Sequence, residues 1–186
     1  MQENFNETAN PAPLGLTGFG LATMLLNLHN AGLFPLDTMV LAMGIFLGGI
    51  VQTIVGVLEW KKNNLFGMMA FSSYGFFWLS LVALIVLPKL GLGVAASPFA
   101  MGFYLAVWGL FSFGMFYATL NMANSMKALF FMVVVLFFLL AIADFTGIGV
   151  IKTIAGIEGI LCGGFALYLA LAEVINHVHG DTVLAK

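Results

Sequence analysis

Six long apolar runs, separated by short polar or glycine-rich breaks, constrain the fold of this chain more than any other feature. The runs cover 13–31, 38–59, 67–88, 99–120, 128–145 and 151–175. Each falls within the roughly 17–25 residues that a helix uses to cross the hydrocarbon core of a bilayer. Because the breaks are short, neighbouring helices must run antiparallel. The sequence therefore predicts an all-α integral membrane protein built as a bundle of six transmembrane helices.

Composition supports the membrane assignment. Hydrophobic residues make up 62% of the chain and charged residues only 8%, whereas a soluble domain is close to half apolar and about a quarter charged. The six basic residues are all lysines and form no basic patch, so we expect no nucleic-acid partner. We expect a polar tail over 1–9, a membrane domain over 10–176 and a second tail over 177–186.

Lysines in the connecting segments predict the orientation of the bundle, because cytoplasmic loops carry an excess of them. Four lie on the side of both termini and two on the other: Lys61, Lys62, Lys127 and Lys186 against Lys89 and Lys152. This difference predicts that both termini are cytoplasmic, in a multi-pass protein of the plasma or inner membrane.

Polar residues recur along one face of the first run. Gly15, Phe19, Thr23, Asn27 and Asn30 follow one another at spacings of three or four residues, which places them on one side of a helix. Buried amides and hydroxyls need partners in hydrocarbon, so one interpretation is hydrogen bonding between helices. The other is a solute-lined groove that begins at Asn10, a candidate helix cap.

Small residues form two further stripes. The second run has Gly44, Gly48, Gln52 and Gly56, and the sixth has Gly156, Gly159, Gly163 and Gly164. Such stripes are typical of closely packed helices. Alternatively, they leave space along a pathway in which Gln52 is a polar contact.

The third run carries a polar and aromatic cluster of Ser72, Ser73, Tyr74 and Trp78. An aromatic stripe at helical spacing is usually core packing. Here Tyr74 and Phe19 are also candidates for an apolar gate, since hydrophobic constrictions close pores to water. We interpret the two serines and Trp78 as lining of the same pathway.

Two carboxylates differ in their expected roles. Glu158 lies about two turns inside the sixth run, where an ionisable residue is costly and a functional role is the default hypothesis. We expect it either to couple protons to transport or to pair structurally with Lys152. Glu59, followed by Trp60 and two lysines, is interpreted as an interfacial charge with a local partner.

The chemistry of these residues favours transport over catalysis. No catalytic motif and no metal-ligand spacing is found, so we expect no enzyme activity, no metal and no cofactor. Amide and hydroxyl groups without lysine or arginine suit a small hydrogen-bonding solute, and a carboxylate would cross a dry constriction with a proton or as the neutral acid. A channel for urea or small amides and a non-transporting scaffold or sensor remain alternatives.

Several motifs resemble those of the acetate–succinate transporter family (AceTr). They are Asn-Pro-Ala-Pro-Leu-Gly-Leu at 10–16, Leu-Asn-Leu-His-Asn at 26–30, Met-Gly-Ile-Phe at 43–46, Ser-Tyr-Gly at 73–75 and Leu-Pro-Lys-Leu-Gly at 87–91. The resemblance spans nearly the whole chain. It implies six membrane helices, proton-linked or channel-like transport of acetate, succinate and other short carboxylates, and a homo-hexamer in which each protomer has its own pathway.

The resemblance also implies a gate. Phe19 and Tyr74 match two members of the family's hydrophobic constriction, and Val133 matches the third, where bacterial relatives have leucine. A smaller side chain at this position is expected to loosen the gate. Glu158 matches no family motif, so its assignment depends on its position in the membrane alone.

Overall fold

The computed structural model describes residues 8–185, and this part of the chain folds into helices without strands. The six main helices are α1 (Ala12–Asn30), α2 (Thr38–Lys61), α3 (Leu65–Lys89), α4 (Pro98–Ala118), α5 (Asn124–Thr146) and α6 (Gly149–His179). They correspond to the six apolar runs. Most of the predicted N-terminal tail, residues 1–7, and Lys186 lie outside the described residues.

Five of the helices within residues 8–185, α2 to α6, are long and apolar enough to cross a membrane. The prediction of an all-α membrane protein is confirmed. The 19-residue helix α1 is not among the five, so the count of six spans stays a prediction, as does the cytoplasmic position of both termini.

Local sequence determines where several helices begin and end. The side chains of Asp37, Asn64 and Ser97 accept hydrogen bonds from backbone N–H groups in the first turns of α2, α3 and α4, which satisfies donors that the helix itself leaves unpaired. Helix α5 ends at Gly147, whose φ of 68° lies in the left-handed region that favours glycine. Asn10 accepts a bond from Ala12 at the start of α1, at 3.2 Å.

The helices form a ring around a core of large apolar side chains. Helix α1 packs most extensively on α6, α4 packs on α5, α5 on α6, and α2 lies between α1 and α3. Between α3 and α4 the contact is made by side chains, among them the rings of Tyr74 and Trp108 with centroids 6.3 Å apart. The helix backbones are therefore spread apart where the aromatic core lies.

Small residues let α1 and α6 approach closely. A Cβ added at Gly163 would lie 2.7 Å from the carbonyl oxygen of Gly20, and one at Gly159 would meet the amide of Asn27. Gly156 is packed equally tightly, whereas Gly164 has nothing within 4 Å of an added Cβ. The close-packing interpretation thus holds for three of the four glycines in this stripe.

Helix α2 contains a π-helical segment, Gly44–Val51, where the sequence predicts a regular α-helix. A π-helix has more residues per turn than an α-helix. Residues spaced four apart in this segment therefore no longer share one face, as the predicted stripe requires. Gly48 and Gly56 face α3, where the ring of Trp78 packs against Gly48, while Gln52 lies beside α1. The glycines of the second stripe therefore pack against α3, whereas Gln52 faces α1.

The C-terminal segment, predicted as a tail over 177–186, begins inside a helix. Helix α6 continues to His179, and the chain then reverses at Gly180, which has a φ of 69°. The side chain of Asn176 binds the backbone of Val183 and Leu184 at 2.8 Å. Residues 183–184 are thereby held against α6.

Candidate solute pathway

A cavity of about 190 Å³ lies between α1, α2, α3 and α5. Its mouth lies beside Asn64, in the turn between α2 and α3, and beside Met122, in the turn between α4 and α5. Its wall follows single faces of the helices, two to three turns inward: Ala12, Leu16 and Phe19 on α1, Gly67, Ala70 and Tyr74 on α3, and Met126, Leu129 and Val133 on α5. The other lining side chains are apolar except for Gln52.

Three side chains close the inner end of the cavity. Phe19, Tyr74 and Val133 are 9%, 4% and 3% exposed, and the rings of Phe19 and Tyr74 have centroids 6.2 Å apart. The structure thus brings together the three residues of the predicted constriction. An apolar closure of this kind excludes water and ions.

Tyr74 is fixed by one polar contact within an aromatic surrounding. Its hydroxyl donates to the Oγ of Ser112 on α4 at 2.9 Å, and Ser112 is fully buried. The sequence prediction did not include Ser112. The available signal was a hydroxyl in the middle of an apolar run, which needs a partner in hydrocarbon; the sequence could not indicate which partner.

Gln52 is the polar group deepest in the cavity wall on the mouth side of the constriction. Its side chain is 1% exposed, and its Oε1 has no hydrogen-bond partner among residues 8–185. Its amide oxygen therefore retains the capacity to accept a hydrogen bond. That Gln52 is a polar contact for a solute stays a prediction.

The polar residues of α1 lie on the other side of the constriction. Asn27 donates from Nδ2 to the carbonyl oxygen of Thr23 at 2.9 Å, and Asn30 donates to Oδ1 of Asn27 at 3.0 Å. These bonds are within α1, so they do not link helices as one interpretation expected. The Oγ1 of Thr23 is buried with no partner in the described part of the chain.

Glu158 also lies beyond the constriction. It precedes Gly159, which packs on Asn27, two turns past Phe19 along α1. It also lies one turn before Cys162, which belongs to the same core as Phe19. The Oε2 of Glu158 is buried, and no residue of the described chain donates to it. The predicted alternative, an ion pair with Lys152, is not formed, and Lys152 instead interacts electrostatically with Asp144.

Four residues predicted as pathway lining lie elsewhere. Asn10 is exposed at the start of α1, Ser72 packs on Gly56, and Trp78 packs on α2. Ser73 does not reach the cavity wall. The cavity face of α3 passes through Tyr74, and Ser72 and Ser73, one or two residues away on the helix, point in other directions. Trp78 lies a full turn beyond Tyr74, where its ring packs on Gly48.

Glu59 has the local partner that the sequence led us to expect, but it is buried rather than exposed. This side chain is 2% exposed. Its Oε2 accepts a hydrogen bond from Nδ2 of Asn64 at 2.7 Å, while Oδ1 of Asn64 accepts from the backbone of Gly67 at 3.1 Å. The missing side chain of Gly67 provides the space, since a Cβ there would lie 2.9 Å from Cδ of Glu59. Spacing alone did not reveal this burial.

We expect Asn64→Ala to destabilise the protein by about 3 kcal/mol, because it removes a helix cap and leaves a buried carboxylate without its donor. The matched control is Ser97→Ala, which removes only a cap and should cost about 1 kcal/mol. Thermal unfolding in detergent measures both. Adding Glu59→Gln to Asn64→Ala should recover part of the difference, and equal losses for the two single variants would contradict this account.

Comparisons with known proteins place these features in a family. A model of the GPR1/FUN34/yaaH family matches residues 1–184. The chain is 54% identical over 176 residues to the succinate-acetate/proton symporter SatP of Escherichia coli strain K12, with 95% of this chain and 94% of that protein covered. It is 41% identical to ammonia transport outward protein 2 of Saccharomyces cerevisiae, over 89% of this chain and 61% of that protein.

A solved structure also matches the fold. The structure titled as the bacterial acetate channel SatP superimposes with a TM-score of 0.94 at 53% sequence identity. The match covers 96% of this chain and 99% of that one. The helical arrangement described above is therefore that of a known transport protein.

Proposed function

Because this chain belongs to the GPR1/FUN34/yaaH family, we propose that it carries acetate and related short carboxylates such as succinate across the membrane together with protons. One observation carries the proposal. A cavity with a single deeply placed free amide oxygen, the Oε1 of Gln52, ends at an apolar constriction inside one chain. The names of its relatives, a succinate-acetate/proton symporter and an acetate channel, agree with that geometry.

The cavity holds the solute before it crosses. A short carboxylic acid that enters beside Asn64 loses part of its hydration to apolar walls, and the free Oε1 of Gln52 accepts a hydrogen bond from its protonated form in exchange. The walls contain no lysine or arginine, so nothing neutralises the charge permanently. A site without a fixed counter-ion binds weakly enough to release the solute again.

The constriction determines the form in which the solute passes. Moving an ionised carboxylate through the apolar ring of Phe19, Tyr74 and Val133 is very costly, whereas the protonated acid crosses far more easily. On the far side, the buried oxygen of Glu158 and the hydroxyl of Thr23 both lack partners in the described chain. We assign Glu158 the role of exchanging the proton there.

The pathway belongs to a single protomer in this proposal, since one chain by itself forms both the cavity and the constriction. The protein would assemble as a homo-hexamer in the plasma or inner membrane, surrounded by lipid. With both termini in the cytoplasm, the mouth beside Asn64 would face the cytoplasm. The lysines of the adjoining turns, Lys61, Lys62 and Lys127, favour that side.

Uptake of labelled acetate into proteoliposomes, with and without an inward proton gradient, tests the proposal. We expect stimulation by the gradient, and we expect Phe19→Ala to raise the rate several-fold because it widens the constriction. The control is Phe76→Ala, which removes a ring that is 59% exposed on the outer surface of α3. Acetate flux that ignores the gradient would contradict proton linkage.

The same vesicles decide between the alternatives. Flux of urea without flux of acetate would identify a channel for small amides, which the neutral amide of Gln52 also suits. No flux of either solute would leave a scaffold or sensor, and the proposal would fail.

A further inference from the structure

Ser112 and Tyr74 form a polar contact that the proposed transport does not by itself explain. The donor is the hydroxyl of the gate residue Tyr74, and the acceptor is a fully buried serine on α4, a helix outside the cavity wall. Five aromatic rings surround the ring of Tyr74, with centroid distances from 5.6 to 6.4 Å: Phe19, Trp108, Phe111, Phe130 and Phe137. Ser112 is thus the hydroxyl's one hydrogen-bond partner in residues 8–185.

We propose that Ser112 is a positioning residue that holds the Tyr74 ring across the pathway through this hydrogen bond. The inference rests on the proposed function, since it assigns a cause to the closure of the same gate. Packing alone would allow the Tyr74 ring more than one combination of side-chain torsion angles. The hydrogen bond to Ser112 selects the orientation in which the hydroxyl points towards α4, away from the cavity.

The consequence of losing the bond follows from the surroundings. A buried hydroxyl without a partner is costly, and the aromatic rings around Tyr74 supply none. Tyr74 lines the same cavity as Gln52, whose Oε1 is a free acceptor. Without Ser112 the hydroxyl therefore turns towards the cavity, and the ring moves out of the closed position.

A second tyrosine–serine pair in the same bundle provides the control. Tyr104 and Ser80 share a hydrogen bond of 2.7 Å, but the hydroxyl of Tyr104 also donates to the carbonyl oxygen of Phe77 at 3.2 Å. Ser80→Ala therefore removes the same chemistry without leaving the tyrosine unpaired. It should leave the gate closed.

Cys162 reports the state of the gate independently of transport. It is the single cysteine of the chain, it is fully buried, and it packs in the same core as Tyr74. In the intact protein a small water-soluble thiol reagent should modify it slowly. When the ring leaves its position, water and the reagent reach the core.

The experiment measures the rate of Cys162 modification by a methanethiosulfonate in detergent-purified protein, together with acetate uptake. We expect Ser112→Ala to increase both, modification by about tenfold. Tyr74→Phe should stay slow, since its ring has no hydroxyl to satisfy. The double variant Ser112→Ala/Tyr74→Phe should also stay slow, because the unpaired group is gone.

The outcomes separate this inference from the proposed function. Slow modification in Ser112→Ala, or fast modification in the double variant or in Ser80→Ala, would overturn the positioning role even if acetate transport is normal. The expected modification pattern without any acetate flux would support the positioning role and contradict the transport proposal. If Ser112→Ala does not fold, Ser112→Gly removes the same acceptor and is measured in its place.

Discussion

Replacing Gly156 by alanine is expected to destabilise the folded protein by more than about 3 kcal/mol, while Gly164→Ala on the same helix leaves it folded. A Cβ at Gly156 would lie 2.7 Å from Cα of Ala31 and 2.7 Å from the carbonyl carbon of Asn30. Both are main-chain atoms, so no side-chain rotation relieves the overlap. The helices α1 and α6 would have to separate.

Separation of these two helices affects more than their own contact. Helices in lipid associate through close packing rather than through the hydrophobic effect, and α1 contacts α6 more extensively than any other helix. Because α1 also carries Phe19, moving it displaces one wall of the constriction. We therefore expect transport to be lost together with stability.

Thermal unfolding in detergent, followed by size-exclusion chromatography, measures this effect. An added Cβ at Gly164 has nothing within 4 Å, so Gly164→Ala should gain the small helix-propensity benefit of roughly 0.5–1 kcal/mol. Both substitutions add one methyl group to the same helix. Similar melting temperatures for the two variants would show that the close approach at Gly156 is not important for the fold.

The helices could be predicted from the sequence because lipid offers backbone groups no partner. Every N–H and C=O in a span must bond within its own helix, so an apolar run of sufficient length has little choice of structure. The π-helical segment of α2 could not be predicted in this way. It accompanies the packing of Trp78, which comes from α3, against Gly48, and a tertiary partner of this kind leaves no local pattern.

The residues of the candidate pathway, too, could be predicted from the sequence only in part. Spacing predicts which residues share a helix face, and the resemblance to a family adds which faces meet, so Phe19, Tyr74 and Val133 could be named together. The partners of single polar residues depend on the neighbouring helix. For that reason the bond from Tyr74 to Ser112 and the burial of Glu59 were missed, and Trp78 was placed on the cavity wall although it packs on α2.

Glu158→Gln is expected to abolish the stimulation of acetate uptake by an inward proton gradient, so that the ratio of rates with and without the gradient falls to about one. Glutamine keeps the size of the side chain but cannot exchange a proton. The Oε2 of Glu158 is buried without a donor among the described residues, an arrangement that disfavours a permanent charge. Downhill movement of acetate should persist, since the cavity and the constriction are unchanged.

The matched control is Glu59→Gln, at the second buried carboxylate and on the mouth side of the constriction. One oxygen of Glu59 is also buried without a partner among the described residues, but its Oε2 already accepts a hydrogen bond from Asn64. The carbonyl oxygen of glutamine can accept the same bond. That variant should therefore keep its response to the gradient. If Glu158→Gln also kept it, the proton would cross with the solute as the neutral acid and need no protein carboxylate. If Glu59→Gln alone lost it, proton exchange would occur at the cavity mouth, before the constriction rather than beyond it.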